Sequence, residues 1–152
     1  MLYSEKLRPF AAAHPCRTID VDGAQFRYIL TGKPEGRTRV FLNGGMNTLE
    51  MWMDYVDALA DTGRVLLFDY PQQLRTNQAL VAGMHAFFAA VKGKILLILP
   101  DQDFFSGQMQ QDLIRLMHEP EIRYVSGGHL STVLKTEHYI RTIRAFLAGQ
   151  PE

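Results

Sequence analysis

The chain has 152 residues, of which 47% are hydrophobic and 21% charged, the make-up of one soluble globular domain with enough apolar material for one core. Sixteen basic residues balance sixteen acidic ones, which argues against a general nucleic-acid binder, since that needs a basic surface to displace counterions, and predicts modest solubility near neutral pH. Cys16 is the only cysteine, so an internal disulfide is excluded and the cytoplasm is the default compartment.

No apolar core with a cleavage site marks the N-terminus, so no signal peptide is expected. The longest mostly apolar segment, 79–91, is too short to span a bilayer and contains Gly83 and His85. Residues 1–15 show no clear period, with Pro9 and Pro15 bracketing Phe10 to His14, and read as a surface arm or short helical turn. Two short strands, 18–21 and 25–30, flank Asp22-Gly23, a dipeptide that favours a two-residue hairpin turn. A polar loop over 31–37 leads to a strand over 39–42 that runs into Asn43-Gly44-Gly45. A helix follows, with Asn47 as cap and Glu50 completing a capping box. Trp52, Tyr55, Val56, Leu59 and Ala60 form its stripe, and Gly63 ends it as a left-handed cap.

The next buried strand is 65–68, closed by Asp69-Tyr70-Pro71. A second helix spans 76–91, with Leu80, Met84, Phe87, Phe88 and Val91 as its buried face and Gly93 as its stop. The run 95–99 has five apolar residues without alternation, which suits a strand buried on both faces of a parallel sheet. Met109, Leu113, Leu116 and Met117 mark a third helix ending near Pro120. A strand over 121–125 precedes Ser126-Gly127-Gly128-His129, and a last helix contains Ile140, Ile143 and Leu147. A hairpin followed by four strand–helix units predicts a three-layer α/β fold in a single domain. Its mostly parallel, doubly wound sheet is short, with an antiparallel N-terminal hairpin.

In such sheets ligands sit beyond the carboxyl ends of the strands, and right-handed crossovers gather the strand-to-helix turns on one edge. Asp101 and Asp103 follow the strand over 95–99, and His129 follows the next. Either aspartate suits a simple turn cap. Gly127 and Gly128 let the chain turn sharply and present the His129 ring, and an acid one strand away makes the pair a candidate base with its orienting carboxylate. Asn43-Gly44-Gly45-Met46 suits an oxyanion or phosphate cradle, or a tight turn that needs small residues. No full dinucleotide fingerprint follows it. His14, His85, His118 and His138 lack metal-ligand spacing, so no metal site is expected. Cys16 reads as a packed residue.

The order of these pieces resembles the α/β-hydrolase fold superfamily, esterase or lipase-like. Phe41-Leu42-Asn43-Gly44-Gly45-Met46 with Met51-Trp52 resembles the family's strand, HGG-type oxyanion loop and first helix. VLLFDYP over 65–71 resembles the strand after it. The run 95–103 resembles the strand carrying the triad acid, which places that acid at Asp103, and Gly127-Gly128-His129 resembles the family's GGH. The resemblance covers about 18–147. Asn43 stands where many members have histidine. The nucleophile elbow GxSxG occurs nowhere in the chain. The elbow strand, the helix after it, another strand and any lid are missing between about 90 and 94, and only the half of the oxyanion hole near Gly45 or Met46 remains. The strand over 95–99 would then fill the slot beside 39–42, giving parallel strands in the flavodoxin-like order 65, 39, 95, 122.

The resemblance implies serine ester hydrolase ancestry with little or no acyl transfer. In serine proteases, removing triad members leaves about 10³- to 10⁴-fold catalysis over water. Losing one oxyanion donor costs roughly another 2.7–4 kcal/mol. A natural deletion, a pseudo-enzyme and an engineered minimal fold all fit. An active carboxylic ester hydrolase is the alternative, with His129 and Asp103 serving a water or one of Ser106, Ser126 and Ser131. A third reading is a flavodoxin-like module holding a small anion or nucleotide at 43–47. No cofactor is expected. A homodimer could bury apolar surface uncovered by the deletion.

Overall fold

A computed structural model describes residues 3–21, 23–35, 38–42, 48–71, 76–90, 94–104 and 107–149. They fall into two compact units, Met1–Ala79 and Leu80–Glu152. Both contain strands and helices, as the α/β class requires.

The first unit holds a four-stranded sheet. Strands β1 (Arg17–Val21) and β2 (Ala24–Gly32) pair antiparallel with Val21 opposite Ala24, the register of a two-residue turn. Strand β2 pairs antiparallel with β4 (Arg64–Phe68), and β3 (Thr38–Phe41) pairs parallel with β4, giving the order β1-β2-β4-β3. Val65 and Leu67 alternate into the core, where Ile29, Leu49, Met53, Tyr55, Val56 and Leu59 are also buried. Each such side chain fully buried stabilises the fold by about 1.5–3 kcal/mol.

Four expectations are corrected here. Residues Tyr3–Ala13 form an eleven-residue helix, α1, longer than the arm or short helical turn expected. Pro9 hides its period from the sequence. The helix is held by buried Phe10, by Lys6 Nζ at 2.8 Å from Asp54 Oδ1, and by His14 Nδ1 at 2.9 Å from Thr31 Oγ1. The helix after β3 opens as a 3₁₀ turn over Leu49–Trp52 and continues as α2 (Met53–Leu59). Asn47 lies outside the described residues. Asp69 Oδ1 accepts the Leu49 N–H at 2.6 Å, and Glu50 turns to Arg27. Gly63 is no left-handed cap: its φ of 157° and ψ of −170° are near-extended, after a 3₁₀ turn over Ala60–Thr62. The carbonyls that such a cap would satisfy already have donors. Thr62 Oγ1 and Arg39 Nη1 donate to Leu59 O, and Lys33 N–H donates to Ala60 O and Gly63 O. Cys16, expected to be packed, is an exposed free thiol just ahead of β1.

Arg27 joins the opening turn to the sheet. Its Nη2 donates to Glu50 Oε1 at 2.7 Å and its Nη1 to Asp69 Oδ2 at 2.8 Å. Burial opposes ionisation of Glu50. Hydrogen bonds from the Thr48 side chain, its own backbone N–H and Arg27, with the Arg27 charge, outweigh it and hold the carboxyl below its ordinary value. This contribution is therefore present at neutral pH and is lost as pH falls through that lowered value. Arg27→Met should cost about 1–2 kcal/mol at pH 7 by urea titration, and the cost should shrink as pH falls through the lowered Glu50 value; a cost that stays equal down the acid range would remove the ion pair from the account.

In the second unit β5 (Leu96–Pro100) pairs parallel with β6 (Glu121–Val125), with Leu96 opposite Glu121 and Pro100 opposite Val125. Helix α3 (Asn77–Ala90) carries the boundary between the units, and Thr76 Oγ1 accepts the Ala79 N–H at its start. Helices α4 (Gly107–Arg115), α5 (Ser131–Leu134) and α6 (Thr136–Ala148) follow in the chain. Helix α6 lies against both strands, and Leu97, Leu99, Val125, Tyr139 and Thr142 are buried. Strand β5 is not buried evenly on both faces: Leu97 and Leu99 are buried and their neighbours half-buried, because alternate side chains face opposite ways. Helix α4 ends at Arg115, so Leu116 and Met117 lie in the turn beyond it, and Met109 is exposed.

The parallel strands form two ladders, β4–β3 and β5–β6. Both pairs are neighbours in the flavodoxin-like order β4-β3-β5-β6. The elbow strand that the hydrolase resemblance puts beside β3 has no counterpart among the described residues. Among the described residues no helix is long and apolar enough to cross a membrane.

Candidate functional site

The site grows from the end of the β5–β6 ladder. Pro100 and Val125 are paired, so the two loops leave the strands side by side. Asp101 N–H donates to Val125 O at 3.0 Å and Gln102 N–H to Gly127 O at 2.9 Å. Asp101 Oδ1 accepts the Gly127 N–H at 2.8 Å. Gly127 is thus held from both sides, at a φ of 133° that disfavours any side chain, and a Cβ there would lie 3.2 Å from the Ser131 Cβ. Asp101 is therefore a clamp between the two loops.

This clamp sets Asp103 against His129. His129 Nδ1 lies 3.3 Å from Asp103 Oδ1 and 3.4 Å from Oδ2. The Asp103 side chain is 7% exposed and that of His129 is 47% exposed. The Phe104 ring stands 4.5 Å from the imidazole, tilted by 45°. An ionised carboxylate only accepts, so Nδ1 carries the proton in this contact and Nε2 is left as the basic nitrogen. The bonds are longer than an ordinary N–H···O.

The serines are placed differently. Ser131 is buried, and its Oγ lies 2.7 Å from the Tyr139 hydroxyl. Burial pushes the Tyr139 hydroxyl up, the hydrogen bond with Ser131 pulls the other way, and the Asp103 charge adds to the rise. Tyr139 is therefore a neutral hydroxyl at pH 7. Ser126 is exposed, and Lys135 Nζ donates to its Oγ at 2.9 Å and its carbonyl at 2.6 Å. Ser106 and the loop Asn43, Gly44, Gly45 and Met46 lie outside the described residues. So does the 43–47 turn of the anion-binding reading. Among the described residues no group of three or more His, Cys, Asp and Glu side chains is placed to hold a metal ion.

Sequence reasoning missed the Asp101 clamp, the Ser131–Tyr139 bond and Lys135. The first could have been found from the matched strand ends at Pro100 and Val125. The other two carry no sequence signal, because seven residues and a helix break separate Ser131 from Tyr139.

No protein-family model and no curated protein matches the sequence. Solved structures do match. A predicted CIB-like hydrolase from Thermoplasma acidophilum is 14% identical, with a TM-score of 0.68 over 88% of this chain and 97% of that one. The carboxylesterase CesB from Bacillus subtilis is 9% identical, with a TM-score of 0.65 over 98% of both chains. These are α/β-hydrolase fold proteins, and the chain has that fold in a shortened form. At such identities the likeness establishes the fold alone.

Proposed function

We propose that the chain is a shortened domain of hydrolase ancestry that keeps an acid–histidine pair, Asp103 and His129, without the serine nucleophile. Its acyl-transfer activity is then near background. The observation that carries this reading is the direction of the hydroxyls. Asp103 addresses His129 Nδ1, while the hydroxyls of Ser131 and Ser126 are turned to Tyr139 and Lys135. A histidine base that lacks a serine nucleophile activates water at best. The absence of GxSxG from the sequence and the likeness in fold to a carboxylesterase support the same reading.

Hydrolysis of p-nitrophenyl acetate by the purified protein and its His129→Ala variant tests it. Equal rates close to buffer are expected. A wild-type rate about 10²-fold or more above that of the variant would refute the reading, since general-base catalysis supplies that much. It would favour the second reading, an active ester hydrolase. The placement of Ser106 three residues past Asp103 supports that alternative, and Ser106→Ala would then remove the activity.

A further inference from the structure

The second unit has a groove of about 320 Å³ that runs from His129 past Gly127 to Lys135 and is walled by Leu130 and Leu134. That volume is at the small end of ligand pockets. Leu130 is 63% exposed and Leu134 77% exposed, with Val133 also exposed between them. So much hydrocarbon in five residues of surface is left wet. One full charge stands at the end of this wall. Lys135 Nζ is tethered by two of its three donors to Ser126, and among the described residues no carboxylate pairs with it. The acid of the site, Asp103, is buried against His129 Nδ1.

We infer that this groove binds a monocarboxylate with a medium-length aliphatic tail, its carboxylate on Lys135 and its tail along Leu130 and Leu134. A small anion would leave the leucines wet, and a neutral hydrocarbon would leave the ammonium unpaired; an amphiphile with one negative charge satisfies both. The inference goes beyond the acid–histidine pair and needs no hydrolysis. A failed rate assay and a failed binding assay are therefore separate results.

The test is calorimetric titration of the full chain with sodium octanoate below its micelle concentration, alongside acetate and 1-octanol. Octanoate should saturate at one site. Acetate should bind about tenfold or more weaker for want of a tail. Octanol should bind about two- to fivefold weaker, the scale of one exposed ion pair. Lys135→Met, which keeps the aliphatic stem, should abolish the preference for octanoate over octanol while leaving octanol binding unchanged. Leu134→Ser, at a position exposed enough to leave folding intact, should weaken both ligands by about fivefold. The inference is overturned if octanoate does not saturate below its micelle concentration, or if Lys135→Met keeps the preference. It is equally overturned if Leu134→Ser binds as the wild type does, or if binding appears only with micelles or anionic vesicles.

Discussion

Gly32→Ala is expected to lower the stability of the chain by about 4 kcal/mol, a fall of roughly 10 °C in Tm. Gly32 ends β2 at a φ of 84°, which already strains an alanine. A Cβ built there would lie 2.2 Å from Gly63 O and 2.9 Å from Ala60 O. Both obstacles are backbone, so no rotamer change relieves them. They belong to the turn that closes α2 and leads into β4, and the Lys33 N–H donates to the same two carbonyls. Relief would therefore separate β2 from β4 at the Gly32–Arg64 pair, beside the core residue Val65. Gly107→Ala is the control. Nothing lies within 4 Å of a Cβ at that position, which opens helix α4, so this change should be neutral or slightly stabilising. Urea denaturation of both variants compares them. A loss below about 1 kcal/mol for Gly32→Ala would mean that the α2–β4 turn yields, and that the β2 end does not fix the sheet.

The same close approach shows where sequence reasoning stops. Alternating and clustered apolar residues marked every strand, and Glu121–Val125 was bounded to the residue, because strand periodicity is local. The sequence predicts a helix cap at Gly63 because a glycine after an apolar stripe usually is one. Its partners, Lys33 and Arg39, come from other elements, and no local pattern announces them. The length of helix α1 is hidden for a similar reason: Lys6 and His14 are fixed by contacts with residues far along the chain, and Phe10 is buried. In the candidate site, the strand ends and the Gly127-Gly128 turn pointed to Asp103 and His129, which the structure brings together. The fate of the serine hydroxyls was not legible. Whether Ser131 faces His129 or Tyr139 depends on how α5 turns into α6, which is a tertiary property.

Asp103→Asn is expected to collapse the tautomer preference of His129. In the wild type the carboxylate accepts from Nδ1–H at 3.3 and 3.4 Å, and a carboxylate offers no donor to the other tautomer. A hydrogen bond to a charged group contributes about 1.5–3 kcal/mol, less here because His129 is 47% exposed. A preference of about fivefold or more for the Nδ1–H form follows from the remaining ~1 kcal/mol. An asparagine amide both donates and accepts, so it serves either tautomer after a flip and the preference disappears. Nitrogen-15 shifts of the imidazole above its titration range read this directly, with or without any turnover. Asp101→Ala should give a weaker version of the same change. It removes the 2.8 Å bond to the Gly127 N–H that aligns the two loops and leaves the Asp103 carboxylate in place. Restoring an acceptor with Asp101→Asn should recover the wild-type spectrum, as expected of a positioning residue. If His129 shows the same tautomer mixture in wild type and in Asp103→Asn, the two side chains are neighbours without coupling. The acid–histidine pair would then be a relic of geometry with no part in any proton transfer.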